Sequence, residues 1–184
     1  MQSIRFLLPA TLLAVALAVS AAPIKTDPAK SSVAAVFKQM GVPVEAKFTK
    51  FSAQIDYDPA RLDASKAVVE IDTASLDIGD PEYNKEIAKK EWFNAAQFPK
   101  ARFVSSSIKS AGAGKLSVSG KLDIKGKSVD VLFPLTVKTE GGKQVFEGAL
   151  PIKRLAFNIG EGEWKDTSMV ADEVVIKFRV TAAQ

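Results

Sequence analysis

Apolar and polar side chains alternate one for one over most of the chain beyond residue 30. Within Lys115–Lys125, Leu116, Val118, Gly120, Leu122 and Ile124 fall on one face. Lys115, Ser117, Ser119, Lys121 and Asp123 fall on the other. A period of two belongs to a strand with one buried face. The pattern recurs in Val129, Val131, Phe133, Leu135 and Val137, and again in Val174, Ile176, Phe178 and Val180 against Lys177 and Arg179. Turn residues separate the runs: Gly112 and Gly114, Lys125-Gly126-Lys127, and Glu140-Gly141-Gly142-Lys143. Links this short join antiparallel neighbours, because a parallel crossover needs a dozen residues or more.

The periodicity predicts eight strands, near 32–39, 44–57, 65–75, 100–109, 114–125, 127–138, 143–157 and 169–182. One helix is predicted near 80–91. Asp80 can cap it, Pro81 suits its first turn, and Glu82 favours the positive end of its dipole. Glu86 is placed to pair with Lys90. The aromatic residues Trp92, Phe93 and Phe98 follow at once.

This is an all-β chain. Amphipathic antiparallel strands must hide one apolar face and two sheet edges, and a closed barrel does both. A two-sheet sandwich is the alternative; runs of 10 to 14 residues favour tilted barrel staves. The outward face is rich in Lys and Asp, and no aromatic girdle recurs at strand ends, so an outer-membrane barrel is not indicated. The predicted inward faces comprise Val33, Ala35 and Phe37; Phe51, Ala53, Ile55 and Tyr57; Ala67, Val69 and Ile71; and Ala101, Phe103 and Ser105. They continue with Leu116, Val118, Gly120 and Leu122; Val131, Phe133 and Leu135; Phe146, Gly148 and Leu150; and Ile176 and Phe178. Small and large side chains mix in this set. They either interdigitate into a solid core or leave a lined channel, and the pattern alone leaves both open.

Composition narrows the chemistry. The chain has 184 residues, a formal charge of +4, and neither cysteine nor histidine. Disulfides, thiolate or histidine metal sites, thiol nucleophiles and Ser-His-Asp catalysis are therefore all excluded. Arg5, the apolar run from Phe6 to Val19, and the small residues Val19-Ser20-Ala21 form a secretory-signal pattern. The apolar run is shorter than the ~20 residues a spanning helix needs. The expectation is a leader, residues 1–21, cleaved after Ala21, and one domain over 22–184 in an extracytoplasmic compartment, in style a bacterial periplasm. No basic stripe carries interleaved aromatics, so nucleic acid is not an expected partner.

Several clusters carry residue types that could serve other chemistry. Asp56, Asp58, Asp72 and Asp77 lie on neighbouring strands, where a carboxylate pair could serve a glycosidase. Asp58-Pro59 reads better as a turn and the others as solvated faces. Glu161, Glu163, Asp166, Asp172 and Glu173 sit in a Gly-containing loop but fit no calcium-loop spacing. Lys153-Arg154 could meet a quinone carbonyl or a phosphate head, or could simply face outward.

Motifs spread along the chain add a resemblance. Lys38-Gln39-Met40-Gly41-Val42 leads into Phe48-Thr49-Lys50-Phe51 and Ile55-Asp56-Tyr57-Asp58-Pro59. Ile71-Asp72-Thr73-Ala74-Ser75-Leu76-Asp77-Ile78-Gly79 precedes the helix, and Trp92-Phe93-Asn94 and Phe98-Pro99-Lys100-Ala101-Arg102-Phe103 follow it. Val118-Ser119-Gly120-Lys121-Leu122-Asp123-Ile124-Lys125-Gly126-Lys127 and Ile152-Lys153-Arg154-Leu155-Ala156-Phe157-Asn158-Ile159-Gly160 complete the series. In order and spacing this resembles the YceI-like family of bacterial secreted proteins. The resemblance implies an eight-stranded antiparallel, lipocalin-like barrel whose tunnel holds a polyisoprenoid or isoprenoid-quinone chain. Relatives fused to cytochrome b561-type membrane domains imply a partner of that type, and relatives linked to stress imply a scavenging role. The chain departs from the family at Lys30-Ser31, Ala35 and Ile87-Ala88-Lys89, where relatives often carry histidine or an aromatic residue.

The combined expectation is a periplasmic binding protein, not an enzyme, that encloses a hydrophobic small molecule for carriage or storage. A stress-related scavenger of amphiphiles is the alternative, and a lipid- or sugar-acting enzyme the competing class. The expected tunnel lining is Val33, Ala35, Phe37, Phe51, Ile55, Ile71, Phe103, Leu116, Val118, Val131, Phe133, Phe146, Ile176 and Phe178. Trp92, Phe93 and Phe98 are the expected rim or lid, and Arg154 the head-group candidate. No cofactor, metal or stable membrane insertion is expected, and a homodimer is allowed.

Overall fold

The computed structural model describes residues 24–183; the expected leader, residues 1–21, lies outside them. The described strands are β1 (Ile24–Thr26), β2 (Ser32–Gln39), β3 (Val42–Phe48), β4 (Phe51–Asp56), β5 (Lys66–Asp72) and β6 (Leu76–Asp77). The short helix α1 (Pro81–Ile87) follows, then β7 (Lys100–Ser110), β8 (Lys115–Ile124), β9 (Lys127–Glu140), β10 (Lys143–Lys153) and β11 (Val170–Ala183). Every pairing is antiparallel.

Register turns these strands into eight staves of one closed barrel. β1 and β2 lie in succession along β11, with Thr26 opposite Ala182 and Ser32 opposite Arg179. β3 lies on β2 and β4 on β1, with Phe48 opposite Val33 and Ile55 opposite Ile24. β6 on β3 and β5 on β4 form the third composite stave. From β5 the ladder runs through β7, β8, β9 and β10 back to β11. The β1–β11 pairing closes the ring, with only the two-residue β6 left as an edge, so apolar alternation becomes an inside and an outside.

The composite staves correct the expectation of unbroken strands over 44–57 and 65–75. At the break after β3, Thr49 N–H donates to the Ser75 carbonyl at 3.0 Å, and Lys50 N–H donates to Ser75 Oγ at 3.1 Å. Asp72 accepts from Ala74 N–H at 3.0 Å, and Thr73 Oγ1 donates to the Phe98 carbonyl at 2.8 Å. Near the first break, Ser31 Oγ donates to Asp27 O at 2.7 Å and accepts from Thr181 N–H at 3.0 Å. Short hydroxyl and carboxylate side chains offer the backbone partners outside the ladder, and the strand yields there.

The helix is also shorter than 80–91. Asp80 caps it as expected, accepting from Glu82 N–H at 2.8 Å. Glu86 pairs with Lys89 at 2.5 Å rather than with Lys90. Tight turns follow Ile87: Phe93 N–H donates to Ile87 O at 3.1 Å, and Asn94 takes a positive φ of 50°. The strand expected to reach 157 stops at Lys153, where Arg154–Phe157 wind into a 3-10 turn.

Candidate functional site

A cavity of about 270 Å³ occupies the barrel interior, just below the ~300–1,000 Å³ usual for small-molecule sites. Val170 and Val180 of β11 both line it, and ten residues of a tilted strand rise roughly 25 Å along a barrel axis. At the helix end its walls include Phe37, Gln39, Tyr83, Glu86, Ile87 and Trp92; at the far end they include Tyr57, Ala67, Phe146 and Val180. Tyr83 is 56% exposed and lines the cavity, which places an opening between α1 and the tip of β2. Exposed Met40, Val42 and Met169 cluster beside it: Met40 N–H donates to Met169 O at 2.9 Å, and Gln39 pairs with both Val42 and Val170.

Most residues expected at the lining are there: Val33, Ala35 and Phe37 on β2, Ile55 on β4, Ile71 on β5, Phe103 on β7, and Leu116 and Val118 on β8. Phe133 on β9, Phe146 on β10, and Ile176 and Phe178 on β11 complete them. Phe51 and Val131 are not among the lining residues; both are partly buried against the surrounding core. Phe51 opens β4 directly after the break at Thr49 and Lys50. Val131 pairs with Gly120, the position crossed by the Phe103 ring. The rings of Phe103, Phe133 and Phe178 form an edge-to-face series at 5.5 and 5.7 Å between centroids. A Cβ on Gly148 would likewise collide with Phe178. These glycines accept aromatic rings that would otherwise fill the channel.

Trp92 and Phe93 line the helix end of the cavity, whereas Phe98 does not. The Phe98 ring instead packs under the β8–β9 turn, 3.0 Å from where a Cβ on Gly126 would stand. Sequence reasoning missed Ile78, Tyr83 and Ile87 of the insert and Trp164 of the last loop. Tyr83 and Ile87 lie four apart on α1, a helical spacing that was available as a signal. Trp164 sits in a short 3-10 turn and offers no periodicity.

Arg154 lines the cavity but cannot serve a head group. It is 2% exposed, and its five N–H groups are spent on the carbonyls of Ala171, Ile159, Gly160, Trp164 and Val170. It binds the returning loop to the start of β11. Lys125 is a second buried cation, donating to Lys90 O, Asn158 O and Glu161 Oε2 at 2.8, 2.7 and 3.0 Å. The hydrogen bond from Lys125 holds the Glu161 carboxyl below its ordinary range. Glu91 O accepts from both Gly160 and Glu161 N–H at 2.8 Å. Together these contacts weld the post-helix turn to the last loop and cap that end of the barrel. Within the cap, Trp92 and Trp164 stand 5.2 Å apart between centroids, and Arg154 Cζ lies 5.8 Å from the Trp92 ring.

Several of the other acidic groups are engaged locally. The Arg61 hydrogen bond holds the Asp58 carboxyl below its ordinary range, and the Asn84 hydrogen bond does the same for Asp77. Asp166 accepts from Ser168 N–H at 2.9 Å and Asp172 from Leu155 N–H at 3.0 Å. Lys153 faces outward, 3.8 Å from Glu173. None of these carboxylates lines the cavity. Among the described residues, no helix is long and apolar enough to cross a membrane.

A sequence model described as the YceI-like domain matches residues 25–182. The UPF0312 protein of Vibrio cholerae serotype O1 is 34% identical over 89 residues, 48% of this chain and 47% of that protein. A UPF0312 protein of Pseudomonas putida is 35% identical over 98 residues, covering 53% and 51%. Such matches span about half the length of these curated relatives. Among solved structures, Burkholderia cenocepacia BcnA is 55% identical with a TM-score of 0.84, covering 86% of this chain and 100% of that one. A polyisoprenoid-binding domain from Saccharophagus degradans shares the fold: it is 17% identical with a TM-score of 0.69, over 86% and 96% of the two chains.

Proposed function

The chain belongs to the YceI-like family, and from that premise we propose that it is a periplasmic binding protein that encloses one isoprenoid-type lipid chain for carriage or storage. The observation that carries this reading is the cavity, which runs between the two ends of the barrel and is lined almost wholly by apolar side chains. A prenyl chain makes no hydrogen-bonding demand along its length, so shape and apolar area suffice to hold it. At ~25 cal/mol per Å², enclosing several hundred Å² supplies on the order of 10 kcal/mol before ordering costs. Binding rather than catalysis also suits the lining: its titratable acid and cation, Glu86 and Arg154, are engaged by Lys89 and by backbone carbonyls. The leader pattern at residues 1–21 supports export. The relationship to the Saccharophagus domain, by name a polyisoprenoid binder, agrees with this ligand class.

Mass spectrometry of the organic extract from protein purified out of its native host tests the proposal. A stoichiometric prenyl lipid or quinone is expected. A mixture of unrelated amphiphiles would favour the scavenger reading. An empty extract, with no uptake of added isoprenoid quinone, would overturn binding altogether.

A further inference from the structure

Among the described residues, five large apolar side chains stand exposed: Met40, Val42, Tyr83, Leu132 and Met169. Scattered singly, such residues need no explanation. Four of them, all but Leu132, gather at the opening between α1 and the tip of β2. Tyr83 lines the cavity from α1, Met40 and Val42 form the tip of the β2–β3 hairpin, and the Met169 carbonyl accepts from Met40 N–H. Neither the turn nor the core calls for Met40. It and Gly41 take positive φ, 46° and 80°, as a two-residue hairpin turn requires, and Asn or Asp suits the first position better. Its side chain is 67% exposed.

We propose that this rim docks reversibly on a lipid bilayer surface. Met40, Val42 and Met169 enter the acyl boundary, and Tyr83 sits at headgroup level, where its ring and hydroxyl are both accommodated. The cavity then opens onto the membrane. This rests on the reading of the cavity as a lipid site and adds where the lipid enters and leaves. A long apolar chain that crosses water loses the burial it has on either side, and a mouth pressed to the bilayer removes that crossing. A protein partner fits less well. Four such side chains offer on the order of 400 Å², about half of the ~800 Å² per partner of a stable protein interface. Membrane affinity, by contrast, scales with whatever apolar area enters.

The attraction is apolar, because the charges around the mouth come in both signs. On α1, Glu82 is paired with Lys85 and Glu86 with Lys89. Lys38 and Glu45 share the hairpin's outer face, and the last loop carries Lys165 with Glu163 and Asp166. No cationic rim is present to require anionic lipid.

The test is flotation of the protein, stripped of extractable lipid, with vesicles of phosphatidylcholine that contain no isoprenoid. Wild type is expected to float with them, equally at about 0.05 and 0.5 M salt, and no more strongly when half the lipid is phosphatidylglycerol. Met40→Asp is expected to bind about 10-fold less, as one apolar side chain is replaced by a charge, whereas Leu132→Asp stays within about twofold of wild type. Aspartate accepts the positive φ at position 40, and a thermal melt confirms that the variant is folded. A wild type that does not float overturns the inference. So does binding that vanishes in high salt or needs phosphatidylglycerol, or a Met40→Asp variant that floats like wild type.

A second measurement uses the absence of cysteine from the chain. An environment-sensitive fluorophore on Met40→Cys is expected to shift to the blue with these vesicles and to be quenched by spin-labelled acyl chains. The same fluorophore on Leu132→Cys is expected to do neither, and equal responses at the two positions overturn the inference. Because no cargo is present, the two readings fail separately. Docking with an empty organic extract removes the cargo, and a lipid-bearing extract without docking removes the membrane surface.

Discussion

The ring of Phe103 lies across Gly120 on the neighbouring strand, so close that a Cβ on the glycine would collide with it and with the Val104 carbonyl. The pair shows how the channel stays open: a large side chain is folded over a residue with none. Glycine within a strand ordinarily weakens it, and here that weakness is retained because the space is used.

Gly120→Ala therefore destabilises the protein, although alanine is better by roughly 0.5–1 kcal/mol where space allows. Overpacking of this kind costs about 1–3 kcal/mol. Urea denaturation is the measurement, and adding Phe103→Leu recovers part of the loss if the ring is the obstacle. Equal stability of Gly120→Ala and wild type would show that the strand accommodates the methyl group.

Arg154 holds the last loop through five carbonyls. Arg154→Met strands those acceptors in a buried site, and the expected loss is about 3–5 kcal/mol, as when one partner of a buried charged group is removed. Arg154→Lys does not rescue it, because a single ammonium has three donors and no planar fork. Thermal melts of both variants check this; a lysine variant as stable as wild type would refute the clamp.

The pH dependence follows from carboxylates held below their ordinary values. Glu161 is lowered by Lys125, Glu70 by Lys100, Asp58 by Arg61 and Asp27 by Lys143. A group lowered in the folded state stabilises above its unfolded pKa, and that contribution is lost as pH falls through the folded one. With no histidine in the chain, no side chain of ordinary pKa changes charge between about pH 5 and 8. The melting temperature is expected to stay flat from pH 7 to about 5 and to fall below the ordinary values of 4.5 for Glu and 3.8 for Asp. Glu161→Gln should lower the melt at neutral pH and converge on wild type in acid. A gap that persists at low pH would mean that Glu161 acts through packing instead of charge.

Asp80 supplies the cap of α1, a helix of seven residues with none buried. Asp80→Ala is expected to remove about 1 kcal/mol, locally and not globally. Hydrogen exchange at the Glu82 and Tyr83 amides should speed by about fivefold, the equivalent of that energy. Bound lipid should also leave faster, since Tyr83 and Ile87 line the opening. Unchanged exchange at those amides would mean that the helix does not depend on its cap.

Alternation with a period of two was enough to place the long staves, because a strand with one buried face must show it in every second residue. It was also enough to sort Val118, Phe133 and Ile176 inward, and short glycine turns settled that neighbours are antiparallel. Other features required the fold. The strand β1 has three residues and exists because β4 and β11 flank it, so no local period could announce it. The breaks at Thr49 and Thr73 arise from hydroxyls reaching across to another stave. Arg154 interrupts an apolar run and looks outward by type, yet five carbonyls from the loop that follows it and from the start of β11 bring it inside. Whether the barrel is solid or hollow was equally beyond the sequence. That depends on which large side chain meets which glycine across the strands, as Phe103 meets Gly120 and Phe178 meets Gly148. Alternation is a property of one strand, whereas the space left in the middle is what remains after eight staves have packed.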